Sequence, residues 1–395
     1  MEERTGFRQQ YEALFGRPWP VWGAGLLLGT LNVFLFAFDR PWTASDGARN
    51  WGDWVLVGLG LLDRPDLIAP WLYSGSILNL GVLLGATAAA LLSREFAVRV
   101  PATPELLKGG IGGLVMGMGA VLAFGCNVGG FFSATSALSL SGFGMMAGLL
   151  AGAYLGLRYL LWEMEHRPGW SRGQAYVFGA AGAGAAGRLG FQPVVGAALL
   201  ATLVAVPFLY GRLGYAPQAG FVLFGVAFGV VFQRSRFCLV RAFREPFMTG
   251  EGDHTRAAAL ALTLSMVGFS ILKFADLKDQ GDWVFPGVWR GAVVGGLLFG
   301  IGMVLAGGCG AGSIWRAGEG HVKLWGAVAC FAVGASLTRL VLAQQGWLQK
   351  LGTAVFLPQA IGWPAAMGLV VVVMAAWWAF ATWNETARKF SALSG

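Results

Sequence analysis

Two cysteines of this chain lie in surroundings that a regular helix does not favour: Gly125-Cys126-Asn127-Val128-Gly129-Gly130 and Gly307-Gly308-Cys309-Gly310-Ala311-Gly312. Each glycine costs a helix interior about 1 kcal/mol relative to alanine, so a helix should stop or unwind at both places. An unwound turn frees backbone N–H groups that can hold an anion. A short helix starting there would aim its partial positive end at the same spot. The run Phe131 to Leu140 reads as such a half-helix after the first break, with Asn127 and Ser133 as side-chain donors. The second break is followed by Ser313, Arg316 and Glu319, and Arg316 is placed to steer an anion. A lone buried cysteine is usually a small hydrophobe, but two at matched positions beside helix breakers are not explained by packing. The chemistry that fits is the holding of a small anion by freed backbone amides, with the two matched cysteines lining its path.

The other two cysteines read differently. Cys238 lies in Arg234-Ser235-Arg236-Phe237-Cys238-Leu239-Val240-Arg241, where basic residues alternate with apolar ones at a predicted helix end. The bland reading is an anchor of snorkelling arginines; the chemical one is a thiol whose thiolate the arginines favour, able to pass on sulfur. Cys330 stands mid-helix among apolar residues and reads as packing. No Cys-x-x-Cys pair occurs, and His166, His254 and His321 have no spacing that would build a metal site with the cysteines, so neither metal nor cofactor is expected. No carboxylate pair, P-loop or nucleophile elbow is present either, which argues against an enzyme or an ATP-driven pump.

The elements that must position these residues are membrane helices. The chain is 56% hydrophobic and 12% charged, whereas a soluble domain is about 25% charged. Apolar runs long enough to cross a bilayer fall near 20–38, 71–92, 109–125, 142–162, 190–210, 217–233, 255–274, 288–306, 323–343 and 361–383. The expected fold is therefore all-α, a single polytopic membrane domain over 1–395 with about ten spans and short re-entrant helices. The first run shows no cleavage site and reads as a retained span. Trp51 to Leu62 is amphipathic and too short to span, which suits an interfacial or re-entrant helix. Gly-rich Phe178 to Gly190 reads as the linker between halves.

Net charge is +8, yet the basic residues are scattered through short loops and form no nucleic-acid stripe. With the N-terminus inside, inner segments carry 18 Lys and Arg and outer loops carry 7, with Arg158, Arg290 and Arg339 inside helices. That asymmetry predicts both termini in the cytoplasm of a bacterial inner-membrane protein. The chain also repeats itself. Gly113 to Cys126 aligns without gaps on Gly296 to Cys309, an offset of 183 residues that also carries Gly129 onto Gly312. The aligned segments are the third and eighth spans, so they run in opposite directions, and the expectation is an inverted repeat with halves 71–210 and 217–383. In transporters such repeats place the substrate path at their interface. The small-xxx-small glycines of the helix bodies, such as Gly113 with Gly117 and Gly296 with Gly300, are read as helix packing.

At three blocks the sequence resembles the YeeE/YedE family of sulfur-transport membrane proteins, nearest its YedE branch linked to selenium metabolism. The blocks are Gly112 to Phe132 with Gly-Cys-Asn, Gln233 to Gly250 with Arg-Phe-Cys and Ala-Phe-Arg, and Gly295 to Gly320 with Gly-Gly-Cys and Arg-Ala-Gly-Glu-Gly. The resemblance extends from about residue 18 to 385. It implies a channel-like transporter in which thiosulfate or a related sulfur or selenium anion passes by hydrogen bonding to successive thiols, with a small cytoplasmic sulfur-carrier protein as partner. It carries functional weight onto Cys126 and Cys309, and the substrate path expected around them includes Asn127, Gly125, Gly129, Gly308, Gly310, Gly312, Arg316 and Cys238. One departure stands out: the thiosulfate branch has a further functional cysteine on an early helix, and this chain has none before Cys126. Two other functions are kept in view, a membrane sulfurtransferase forming a persulfide on Cys238 and a soft-metal permease using thiolates.

Overall fold

The computed structural model describes residues 9–167, 174–178, 190–287, 290–387 and 390. Most of the linker expected at 178–190 lies outside the described residues. Ten helices among them are long and apolar enough to cross a membrane, close to the ten runs read from the sequence. The spans are α1 (Val21–Phe38), α3 (Ser74–Leu92), α4 (Thr103–Leu122), α5 (Leu140–His166), α6 (Gln192–Arg212), α7 (Ala216–Ser235), α9 (Asp253–Phe274), α10 (Arg290–Ala306), α12 (Val322–Gln344) and α14 (Trp363–Ala387). Between them lie shorter helices: α2 (Ala44–Gly58), α8 (Leu239–Met248), α11 (Gly310–Gly318) and α13 (Leu357–Ile361). A π-helical segment, Asn127–Ser133, precedes α5. The only regular sheet among the described residues is a two-stranded antiparallel pair, β1 (Val98–Val100) with β2 (Tyr176–Phe178), in which Val98 faces Phe178. Chain alternation puts the connections at 39–73, 123–139 and 275–289 on one face, and those at 93–102, 236–252 and 307–321 on the other; these are called the first and second faces below.

Two expectations about short helices need correction. The helix expected at Trp51 to Leu62 begins at Ala44 and ends at Gly58, because its polar first turns are buried and satisfied by neighbours. Asn79 donates to the Ala44 carbonyl at 2.8 Å, and Ser76 donates to Asn50 at 2.8 Å. Polar backbone at membrane depth is tolerated when it is enclosed by protein in this way. The half-helix expected at Phe131 to Leu140 instead starts at Asn127, directly after Cys126, and ends at Ser136 before α5 begins. Gly129 and Gly130 are inside it. A Cβ on Gly129 would lie 2.5 Å from the Thr43 Cβ, and one on Gly130 would lie 2.6 Å from the Met145 sulfur. Close packing, not helix breaking, is what these two glycines supply.

The centre of the bundle is built on glycine. Spans α4 and α10 cross with Gly112 against Gly302 and Gly119 against Gly295, each so close that a methyl group would meet backbone within 2.7 Å. The offset of 183 carries Gly112 onto Gly295 and Gly119 onto Gly302, so the two contacts exchange equivalent positions. The flanking pairs follow the same rule. α4 packs on α12 and α10 on α5, while α3 packs on α7 and α1 on α9. Small residues at such crossings let backbones approach and gain dispersion energy that lipid cannot offer.

Candidate functional site

Three of the four cysteines occupy one local arrangement. Cys126, Cys238 and Cys309 each stand at the N-cap of a short helix, before Asn127–Ser133, α8 and α11 respectively. Two residues ahead of each cysteine the backbone enters the left-handed region, at Phe124 (φ 56°), Arg236 (φ 58°) and Gly307 (φ 78°). That conformation is cheap for glycine and strained for phenylalanine or arginine, and it ends the preceding helix so that the cysteine can begin a new one. All three thiols are buried.

The structure brings these thiols close together. A Cβ placed on Gly310 would lie 3.3 Å from the Cys126 Cβ, so the second break abuts the first. A Cβ placed on Gly312 would lie 3.1 Å from the Cys309 sulfur and 3.3 Å from the Cys238 sulfur, so those two thiols face each other across Gly312. The Cys309 sulfur also accepts the Gly312 N–H at 3.2 Å. Asn127 is fully buried beside Cys309, and apart from that thiol neither its amide nitrogen nor its oxygen has a hydrogen-bond partner among the described residues. Buried polar groups are nearly always paired, so an amide left with a thiol alone marks a place where a polar guest fits.

Toward the first face, Cys126 meets side chains that the sequence reading did not single out. Its sulfur is 3.5 Å from the Thr43 hydroxyl and its N–H donates to the Ser45 hydroxyl at 3.0 Å. Thr43 is the N-cap of α2, and Thr43-Ala44-Ser45-Asp46 has the Ser/Thr-x-x-Asp/Glu spacing of a helix start, the signal that could have found it. Thr43 and Ser45 line a cavity of about 240 Å³ with Arg40, Arg49, Arg339 and Gly125. Arg40 is tied to Asp46 at 2.5 Å. Burial alone would raise the Asp46 carboxyl, but the Arg40 charge with hydrogen bonds from Tyr73 and Arg40 outweighs it and holds the group below its ordinary range.

Toward the second face, Cys238 lines a cavity of about 320 Å³ together with Arg236, Arg241, Arg244, Arg316 and Trp315. A neighbouring cavity adds His321 and Lys323. Arg316 donates to the Gly307 carbonyl at 2.8 Å, which fastens the break as well as charging the cavity wall. Between the two charged cavities a small gap of about 30 Å³ is lined by aromatic rings, Cys238, Cys309, Gly312, Trp315 and Asn32. Gly308 packs against Ser313, and Gly125 against the Gly130 backbone. Cys330 stands apart, half-buried against Gly110 on α12 and lining none of these cavities.

The arrangement is thus two arginine-rich cavities on opposite faces, with Cys238 and Cys309 lining a small apolar gap, the neck, inside the bundle and Cys126 packed against the second break. Similarity to known proteins agrees with it. The chain is 28% identical over 345 residues to the probable transporter YedE of Escherichia coli, covering 81% of this chain and 80% of that protein. It is 38% identical over 115 residues to the thiosulfate transporter TsuA of Escherichia coli, 29% of this chain and 32% of that one, and 36% identical over 131 residues to TsuA of Spirochaeta thermophila, 33% and 39%. No solved structure matches. The family model described as sulphur transport matches residues 2–155 and 234–393, the two stretches that contain Cys126 and the Cys238–Cys309 pair. The chain belongs to the sulphur transport family of YeeE and YedE membrane proteins.

Proposed function

We propose that this protein conducts a small sulfur oxyanion, thiosulfate or a close relative, across the bacterial inner membrane with both termini in the cytoplasm. The observation that carries the reading is the meeting of Cys126, Cys238 and Cys309 between two arginine-lined cavities. Arginines concentrate the anion at either mouth. In the neck the anion exchanges water for Thr43, the Cys126 thiol, the Asn127 amide, and then the Cys309 and Cys238 thiols. Thiols are weak donors, and several weak sites in series let an anion leave as readily as it enters.

In this reading the thiols of Cys126 and Cys309 stay neutral, because thiolates there would repel the substrate and could attack its sulfur–sulfur bond. The protein is then a transporter rather than a sulfurtransferase, consistent with relatives that are named transporters. The exchange of equivalent glycines between α4 and α10 supports two inverted halves, 71–210 and 217–383, with the neck at their interface. Thr43 stands beside Cys126 as Cys238 stands beside Cys309, each at the N-cap of a short helix, so a hydroxyl occupies an early position where this chain has no cysteine. The arginine-rich cavity of the second face, by the excess of basic residues there, opens to the cytoplasm, where a small sulfur-carrier protein could take the anion.

The test is uptake into proteoliposomes of radiolabelled thiosulfate, sulfite, sulfate and selenite. Saturable entry of thiosulfate in preference to sulfate is expected. Entry no faster than into protein-free liposomes for all four anions sinks the proposal.

A further inference from the structure

The neck holds a second kind of donor that neither the thiols nor the arginines explain. Trp315 lies on α11, six residues beyond Cys309, and is 2% exposed. Its indole N–H has no hydrogen-bond partner among the described residues. A buried tryptophan normally finds a partner for that group, and leaving a donor unpaired costs about 1 to 3 kcal/mol. The ring lines both the central gap and the second-face cavity. Its nitrogen lies 4.0 Å from the point where a Cβ on Gly312 would stand, the same point that is 3.1 Å from the Cys309 sulfur and 3.3 Å from the Cys238 sulfur. Gly312 has an ordinary helical backbone, so its missing side chain answers to space and not to conformation. Cys238, Cys309, Gly312 and Trp315 all line the central gap, so two sulfurs and the indole border one small opening, and a side chain at Gly312 would press on both sulfurs.

We infer that this opening is a selectivity site for an anion with one bare sulfur end and one oxygen-bearing end, the thiols of Cys238 and Cys309 holding the sulfur and the Trp315 N–H holding an oxygen. The inference rests on the transport reading above and deepens it. Thiols are soft and tolerate a large polarizable atom, while an indole N–H is a harder donor that suits oxygen. An anion with oxygen alone leaves the thiols poorly matched, and one with sulfur alone leaves the indole unpaired. A site that hydrogen-bonds a substrate group rejects analogues lacking it far better than an apolar pocket rejects a misfit.

The experiment measures thiosulfate uptake into proteoliposomes, together with its inhibition by thiocyanate, an anion with a bare sulfur and no oxygen. Trp315→Phe keeps a flat ring and removes the donor. It should raise the half-saturating thiosulfate concentration about tenfold or more and leave the thiocyanate inhibition constant unchanged. Gly312→Ala presses on both sulfurs and should cut thiosulfate uptake and thiocyanate inhibition together, also about tenfold, while the protein still elutes as a monodisperse peak. Equal shifts for both anions in Trp315→Phe, or wild-type kinetics in Gly312→Ala, overturn the inference. Should Trp315→Phe not fold, Gly312→Ala decides alone. Wild-type protein that takes up no sulfur oxyanion overturns the transport reading itself and this inference with it, whereas saturable wild-type uptake with unaltered selectivity in the variants removes only the inference.

Discussion

Arg236 and Glu319 form a 2.8 Å ion pair that joins the end of α7 to the end of α11. The carboxylate is 1% exposed and the guanidinium 38%. Arg236 also reaches Glu95 at 2.8 Å, and Gln233 donates to both carboxylates. The pair thus clamps three second-face connections around α11, whose other end carries Cys309. Arg236 adopts its left-handed backbone two residues before Cys238, so one residue sets the position of both second-face thiols.

Removing the arginine leaves Glu319 buried and charged without its main partner. Breaking a fully buried pair from one side costs about 3 to 5 kcal/mol, and the partial exposure of Arg236 brings the expectation for Arg236→Gln to about 2 to 3 kcal/mol. Thermal unfolding in detergent should show a clear drop in Tm. Glu319→Gln, which leaves an amide able to accept from Gln233 and Arg236, should fall less; equal or larger loss would mean that the charge pair is not the clamp.

The same network sets a pH dependence. Burial alone would raise the Glu95 carboxyl, but Arg236, Gln233 and Arg234 outweigh it and hold it below its ordinary range. A carboxyl depressed in the fold contributes stability that is present above its unfolded pKa and is lost as pH falls through the folded value. His321, 3.7 Å from Glu319, is pushed down chiefly by burial. Its unfolded form takes up a proton first, near pH 6.5, so it too costs stability as pH falls. Tm should therefore be flat from about pH 8 to 7, decline gently below about 6.5 and steeply below about 4.5. A Tm that rises on acidification contradicts both signs.

Much of this was legible in the sequence because hydropathy at membrane scale is a strong signal, and the ten apolar runs fall on the ten spans. The two cysteine breaks were legible because glycines cluster at both, although only at the second does a glycine, Gly307, end the helix, Phe124 doing so at the first. What was not legible depends on tertiary enclosure. Ala44, Asp46 and Asn50 precede the short helix expected from Trp51, yet they begin α2 because Asn79, Arg40 and Ser76 satisfy them inside the protein. The meeting of Cys238 with Cys309, and of Thr43 with Cys126, joins residues 71 and 83 positions apart that no spacing rule connects. Trp315 looked like one more apolar residue, and only its unpaired N–H beside two thiols sets it apart.

The glycine crossing gives a sharp stability prediction. A Cβ on Gly119 would meet the Gly295 carbonyl at 2.5 Å, and one on Gly295 would meet the Gly119 carbonyl at 2.6 Å. Neither obstacle is a flexible side-chain end, so the helices must move apart. Gly119→Leu and Gly295→Leu should each cost more than the usual 1 to 3 kcal/mol or so of an overpacked core, seen as loss of the monodisperse peak on size exclusion. Gly326→Leu, a position with nothing within 4 Å, serves as control and should behave as wild type.

Arg339 lines the first-face cavity beside Arg49 and forms no ion pair among the described residues, which leaves its charge for the incoming anion. Arg339→Gln should raise the half-saturating substrate concentration severalfold with little change in maximal uptake. The difference from wild type should shrink as ionic strength rises from about 0.01 to 0.15 M, since the Debye length contracts from about 30 to 8 Å. An effect that persists unchanged at high salt would point to a packing role for this side chain.

The thiols themselves give the most direct prediction. Cys126, Cys238 and Cys309 share an N-cap position and are buried, whereas Cys330 lies against Gly110 outside every cavity described. Replacing any of the first three by alanine removes a donor where the anion has shed water, and an unmet charge-assisted hydrogen bond is worth about 1.5 to 3 kcal/mol, or roughly ten- to a hundredfold in rate. Cys126→Ala and Cys309→Ala should abolish measurable uptake while leaving expression intact, because both cap the helices at the two matched breaks. Cys238→Ala should slow uptake, its neighbour Trp315 and four arginines still lining that mouth. Cys330→Ala should transport normally. Serine at 126 or 309, which restores a donor of similar size, should recover part of the rate. Recovery separates hydrogen bonding from sulfur chemistry, since a persulfide mechanism would gain nothing from a hydroxyl.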